Sequence, residues 1–467
     1  MDARPGSVFA VIALVAFVTS VDNTIVATAA PSIAAELGLG LTATQWVTLG
    51  YMLPFAGLLL AGGAVIDRWG ARPVLSAGLA VFGVGAIVGG LAGSAFVLIT
   101  GRAVQGAAAA LVVPATLSLL RTSVAPGKRP TGVAIWTASL AVALAAGPAI
   151  GGAVSEHLGW SWIFFGNVPF AVAPLLIIAR LRVGRADPEQ SSTLAPTALA
   201  LGCAAMVLGT AALVGLGDHA AYGPVPWTAF AGAALIASVL FVHHDRRSHH
   251  PIVPRSLLRT RPIAGGLVVQ LLWGLGVSGA FFFTPMAHQA ALGIGPTAAA
   301  VPLVLVAVAL VLATPFVAPA VRVFGPRATV AAGLIAVAAG LFAVAAVNHL
   351  PAVGPRIPGL ILVGAGSAFT TPLTSHALDA APESRSGTVS GLLTASRELS
   401  SALGVALIGA VLAVVARGDG LAVGYTAGLV VAGALELLAA LAAALMLAPR
   451  TGVVREAQSD SRACSPT

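Results

Sequence analysis

Apolar residues run along this chain in long unbroken stretches separated by short gaps rich in Gly, Pro and Arg. An α-helix rises 1.5 Å per residue, so about 20 apolar residues cross the ~30 Å hydrocarbon layer of a bilayer. The pattern predicts spanning helices over 8–30, 46–66, 73–93, 96–120, 131–154, 161–179 and 194–216, and again over 226–243, 263–289, 298–321, 328–347, 357–378, 388–415 and 421–447. The expectation is an all-α polytopic membrane protein of fourteen spans. The first stretch is too long for a cleaved leader and contains Asp22, so it is expected to be retained.

Composition agrees with a lipid solvent. With 58% hydrophobic and 9% charged residues over 467 positions, too little polar cover remains for a soluble core of this size. The net charge of +8 does not point to nucleic acid, because the basic residues flank apolar spans and are not interleaved with aromatics. Cys203 sits in an apolar stretch and Cys464 in the tail, so neither a disulfide nor a metal site is expected. The Cys464–Thr467 ending lacks the aliphatic pair of a prenylation signal.

The cations have a side. Of 24 Lys and Arg residues, Arg102 and Arg397 fall inside predicted spans and Arg356 and Arg417 in loops at one end; the remainder fall at the other. Positive residues stay in the cytoplasm, which places that end and both termini inside. Arg dominates over the single lysine, Lys128, and Ala and Gly abound, as in a GC-rich bacterial genome. A bacterial cytoplasmic membrane is therefore expected.

The chain also repeats weakly at about 256 residues. Gly70-Ala71-Arg72 returns as Gly325-Pro326-Arg327, and Pro114 with Ala125–Arg129 returns as Pro372 with Ala381–Arg385. Internal repeats of this kind build transporters around one central site. The expected division is a six-helix half over 1–185, an inserted helix pair and the start of a central loop over 186–250, a second six-helix half over 251–449, and a polar cytoplasmic tail over 450–467.

Charges inside the spans are costly, ~2.5–3.5 kcal/mol or more each, and mark ion or substrate paths. Asp22 and Arg102 are expected at similar depth and can meet. Either they form a carboxylate that exchanges protons beside a guanidinium, or they form a permanent structural pair. Arg397, Glu398 and Glu436 form a second set, for which an Arg397–Glu436 ion pair is expected, with Glu398 as a spare acid. Asn23, Trp136, His288 and Gln289 are candidate residues of a substrate cavity. The histidines around 243–250 lie among arginines, which opposes metal binding, so no metal is expected.

Five segments carry a resemblance. Gly63-Ala-Val-Ile-Asp67-Arg68-Trp-Gly70-Ala-Arg72 resembles the loop between the second and third helices of the major facilitator superfamily, where it stabilises one of the alternating conformations. Arg102-Ala-Val-Gln105-Gly106 resembles a second superfamily motif implicated in proton coupling. Gly147-Pro148-Ala-Ile-Gly151-Gly152 resembles the antiporter motif that marks exporters. Val21–Val26 and Trp160–Pro169 resemble segments of the fourteen-helix drug:proton antiporters, although Ser161 replaces an arginine and Glu398 a glutamine.

The resemblance implies proton-coupled export of a small drug-like or antibiotic molecule by alternating access, with protons and lipid as partners, no cofactor beyond the proton gradient, and a monomer. The alternative within the same fold is a symporter or uniporter for a nutrient. No nucleophile–base constellation or phosphate-cradling loop is present in the sequence, so an enzyme is not expected.

Overall fold

The computed structural model describes residues 5–180, 196–219, 222–248, 251–381 and 386–447. The described chain is helical: α1 (Pro5–Leu37), α2 (Leu41–Trp69), α3 (Ala71–Gly90), α4 (Ala95–Ser123), α5 (Arg129–His157), α6 (Ser161–Phe165), α7 (Asn167–Arg180), α8 (Pro196–Gly217), α9 (Trp227–Arg247), α10 (Arg255–Leu258), α11 (Arg261–Leu292), α12 (Pro296–Ala346), α13 (Ile357–Ala368), α14 (Pro372–Asp379), α15 (Ser386–Asp419) and α16 (Leu421–Met446). The predicted tail over 450–467 lies outside the described residues.

Twelve of these stretches are long and apolar enough to cross a membrane, and thirteen when the two arms of α2, Leu41–Leu59 and Ala61–Trp69, bent by 57°, are taken as one broken span. At 1.5 Å per residue the 51 residues of α12 would reach roughly 76 Å, more than twice the hydrocarbon thickness. The element is interrupted at Gly325, whose φ of 76° and ψ of 163° are not helical. Gly70 makes the break between α2 and α3 with nearly the same backbone, φ 84° and ψ 153°. Both angles lie where a Cβ is strained.

The same repeat recurs in packing. A Cβ on Gly85 of α3 would stand 3.0 Å from the carbonyl oxygen of Gly101 on α4, and one on Gly340 of α12 would stand 2.5 Å from that of Gly359 on α13. Within lipid, helices gain little from burying apolar surface against each other and associate where small residues allow backbones to touch. These paired glycines are such places.

Helices α1 to α7 pack mainly among themselves, as do α11 to α16. The two groups meet along α5 against α12 and along α2 against α15, with α1 also touching α11. Helix α8 lies over the α2–α15 seam, bringing Cys203 against Gly57 and Gly217 against Ala410. Helix α9 packs on α8.

Candidate transport site

Asp22 is placed on α1 in a helix of otherwise apolar character, and neither its side chain nor that of Arg102 on α4 is exposed at all. Burying either charge alone would be prohibitive, so the pair must be close. Arg102 Nη1 donates to Asp22 Oδ2 at 2.5 Å, and Asn167 Nδ2, at the start of α7, donates to Asp22 Oδ1 at 2.5 Å. Both carboxylate oxygens are therefore engaged.

Arg102 is held in turn by its own helix and by α2. Its Nη1 also donates to Gln105 Oε1 at 3.1 Å, one turn along α4, and its Nε donates to the Val47 carbonyl at 3.3 Å. The guanidinium lies 4.5 Å from the centre of the Tyr51 ring and 5.9 Å from that of Phe164, where the negative ring faces attract a cation. Gly106 brings α4 and α2 together here, since a Cβ at that position would meet the Tyr51 carbonyl oxygen at 2.1 Å. The Arg102–Gln105–Gly106 motif is thus one device: the arginine binds Asp22, the glutamine holds the arginine, and the glycine admits the helix that carries Tyr51.

Tyr51 is also tied to α1. Its hydroxyl donates to the Thr19 carbonyl at 3.3 Å.

The expected Arg397–Glu436 ion pair is not formed. Arg397 donates from Nη2 to the neighbouring Glu398 Oε1 at 2.9 Å, with its side chain half exposed and that of Glu398 buried. Glu436 points from α16 towards α11, where a Cβ on Gly276 would stand 2.7 Å from its Oε1, and neither of its oxygens has a partner among the described residues. Depth estimated from helix ends brought Arg397 and Glu436 to one level, but their positions around the helices turn them to different neighbours.

Gly147-Pro148-Ala-Ile-Gly151-Gly152 lies on α5 and packs in two directions. A Cβ on Gly147 would meet Thr24 Oγ1 at 1.9 Å and one on Gly151 would meet Thr28 Oγ1 at 2.1 Å, so these two seat α5 on α1. Gly152 faces α12, where a Cβ would stand 2.8 Å from the Pro296 carbonyl oxygen. One turn further, Glu156 Oε2 accepts from the Thr297 backbone N–H at 2.9 Å, capping α12 from the opposite helix group. The other seam closes at the same end, where the Gln45 amide fits against Gly409 of α15.

At this Glu156 end a cavity of about 750 Å³ opens between α1, α2, α8, α11 and α15, a size in the ~300–1,000 Å³ range of ligand pockets. Thr42, Gln45, Asp218 and Gln289 are its polar lining residues, with Thr44. Asp218, just past α8, accepts from Thr42 Oγ1 at 3.0 Å, and Tyr222 accepts from Trp46 Nε1 at 3.2 Å. The segment after α8 is thereby tied to the start of α2.

The other predicted cavity residues divide. Gln289 lines this cavity, whereas His288 is 1% exposed and lies edge-on to Tyr425. Trp136 packs against the apolar cluster of Val8, Ile12 and Leu119 near the arginine-rich end. Asn23 is half-buried beside Asp22 on α1. Of the loop motif, Gly63, Asp67 and Arg68 close α2 and Gly70 turns the chain, while Arg72 Nη2 donates to the Ala179 carbonyl of α7 at 3.4 Å.

Three participants carried no assignment in the sequence. Asn167 lay within a recognised segment, yet an amide beside an apolar run was its only individual signal. Glu156 has no individual signal in the sequence. Arg356, expected in an open loop, is fully buried and its Nη2 donates to the carbonyls of Asn348 at 2.8 Å and Leu350 at 3.1 Å. No group of three or more metal-ligating side chains occurs among the described residues.

The sequence profile of the Major Facilitator Superfamily matches residues 12–405. The chain belongs to that superfamily. Transport, rather than enzymatic conversion, is the activity of such proteins. Curated superfamily relatives include the tetracenomycin C resistance and export protein of Streptomyces glaucescens, 33% identical over 309 residues, covering 65% of this chain and 56% of that protein. The methylenomycin A resistance protein of Bacillus subtilis (strain 168) is 34% identical over 300 residues, covering 64% of each. The multidrug efflux pump LfrA of Mycolicibacterium smegmatis is 32% identical over 298 residues, covering 62% and 58%. The matched part spans about six tenths of these relatives' length.

Solved transporter structures share the fold at low identity. An auto-inhibited POT family peptide transporter gives a TM-score of 0.71 at 16% identity, covering 95% of this chain and 96% of that one. A D-xylose–proton symporter gives 0.68 at 13%, covering 96% and 98%.

Proposed function

We propose that this protein exports a small, drug-like or antibiotic molecule across the bacterial cytoplasmic membrane in exchange for protons, by alternating access. The observation that carries the reading is the buried Asp22–Arg102 pair with Asn167 on its second oxygen. The curated relatives, named for resistance, export and efflux, support the direction, as does the glycine motif on α5.

Taking the bent α2 as one span and dividing α12 at Gly325 gives fourteen spans. An even number leaves both termini on one side, and the arginine-rich end is the cytoplasmic one. The contacts of Gly152, Glu156 and Gln45 then close the outer face, and transport requires them to part.

A proton arriving at Asp22 from outside neutralises the carboxylate and removes the counter-charge of Arg102. A buried guanidinium without a partner is strongly unfavourable, so the packing of α1, α2 and α4 around it must change. The packing of α2 against α15 carries that change to the second helix group. Release of the proton inside restores the pair. The proton moves inwards, the solute outwards, and no covalent bond changes.

Deleting the gene from its host and restoring it tests the reading. Sensitivity to some members of a panel of amphipathic antibiotics should rise on deletion and return to normal on complementation, while inverted membrane vesicles accumulate those compounds when a proton gradient is imposed. Uptake into whole cells that increases with an inward proton gradient would reverse the direction assigned.

A further inference from the structure

Among the described spans outside the bent α2, helix α9 is the most exposed. Only 6% of its most apolar window is buried, against 17–56% for the other spans outside the bent α2. Leu235, Ile236, Val239, Leu240 and Val242 are 39–67% exposed along it, and its packing partner is α8. Acyl chains are what cover such a surface in a bilayer.

At its arginine-rich end this apolar face runs into a second cavity of about 630 Å³. Ser238, Val239, Val242, His243, Arg246, Arg247 and, from the separate helix α10, Arg255 line it. No carboxylate of the described residues forms an ion pair with any of these three guanidiniums. The nearest acid in sequence, Asp245, is 5% exposed and is committed to the backbone: its Oδ1 accepts from Ile252 N at 2.6 Å and its Oδ2 from Val253 N at 3.2 Å. That bond folds the chain after α9 back on itself and delivers Arg255 beside Arg246 and Arg247. A positive-inside signal requires only that arginines be present in the loop; it does not require an aspartate that gathers them from two helices around one cavity.

We propose that this cavity binds the phosphate headgroup of an anionic phospholipid, whose acyl chains lie along α9. The continuous apolar face, the absent carboxylate partner and the phosphate geometry suited to clustered guanidiniums together select a lipid over a soluble anion. The inserted helix pair then anchors the transporter to acidic lipid at the same end as its other arginines. The site does not use Asp22, Arg102 or any transport step, so it can be tested independently of the proposed export.

The full chain is reconstituted in nanodiscs of equal parts dioleoyl-phosphatidylcholine and dioleoyl-phosphatidylglycerol, and the lipids it retains are counted by native mass spectrometry. Each basic residue near an anionic headgroup is worth about fivefold in partitioning, so three give on the order of 100-fold. R246Q/R247Q/R255Q should lose the preference for phosphatidylglycerol by that order, whereas R121Q/R180Q/R322Q, which removes equal charge elsewhere at the same end, should keep it. R255Q alone, which leaves α9 intact, should reduce it about fivefold and serves if the triple variant fails to fold. Equal loss in the two triple variants, or displacement of the retained lipid by inorganic phosphate or glycerol phosphate, would overturn the proposal.

Discussion

Asn167 holds the oxygen of Asp22 that Arg102 leaves open. The carboxylate is thus shared between α4 and α7, and its two bonds, each 2.5 Å, tie three helices of one group to a single titratable residue. Removing the amide leaves Asp22 buried with one partner. Asn167→Leu should cost about 1.5–3 kcal/mol, the range for a hydrogen bond to a charged group, read as a lowered unfolding midpoint in detergent, and should slow transport. Equal stability in the two proteins would mean that the amide is not engaged.

The glycines of α5 make a sharper test because their obstacles differ. Gly147 is opposed by the hydroxyl of Thr24, whereas Gly151 is opposed both by the Thr28 hydroxyl and by the Ile25 carbonyl oxygen at 2.7 Å. A side chain can be shortened, but a backbone oxygen cannot. Gly147→Ala should be destabilising by ~1–3 kcal/mol and should be partly rescued by Thr24→Ala, which removes the hydroxyl and leaves the Cβ of that position at 3.0 Å. Gly151→Ala should not be rescued by Thr28→Ala. Thermal unfolding of the two double variants against their parents decides this.

Glu156 caps α12 from across the seam, with Thr297 N–H as donor. Glu156→Ala removes that bond and should shift the protein towards a state open at this end. Spin labels at positions 157 and 294, in a background without Cys203 and Cys464, should report a longer mean separation by pulsed electron paramagnetic resonance. An unchanged distance distribution would remove Glu156 from the gate.

Arg356 serves its loop through a fork of donors. Its guanidinium reaches the carbonyls of Asn348, Leu350 and Ala352, while Asn348 Nδ2 bonds Thr426 Oγ1 on α16 at 2.9 Å. A lysine has the charge but not the planar fork. Arg356→Lys should therefore be nearly as damaging as Arg356→Gln, each leaving buried carbonyls unpaired at ~1–3 kcal/mol apiece. Recovery of wild-type stability by lysine would show that charge alone matters there.

The spans were legible because a membrane helix is specified by an unbroken apolar run, and the repeat was legible because Gly70 and Gly325 occupy a backbone region that other residues avoid. Asp22 and Arg102 could be paired from their rarity and depth. Depth says nothing about direction around a helix, and this is why Arg397 was joined to Glu436 when it bonds Glu398 instead. His288 and Gln289 show the same limit: one residue apart, they face a buried tyrosine and an open cavity. Asn167 and Glu156 were hidden for another reason. Their partners, a side chain 145 residues away and a backbone N–H 141 residues away, are set by how helices distant in the chain pack, which local composition does not encode.

The central claim is that Asp22 carries the coupled proton, and its direct test is proton flux in proteoliposomes loaded with a pH-sensitive dye, with an exported antibiotic from the susceptibility screen as substrate. Asp22→Asn keeps acceptor and size while removing the titratable charge. The account predicts substrate-dependent proton movement in the wild type and none in the folded variant. Wild-type proton flux coupled to export in Asp22→Asn would contradict it.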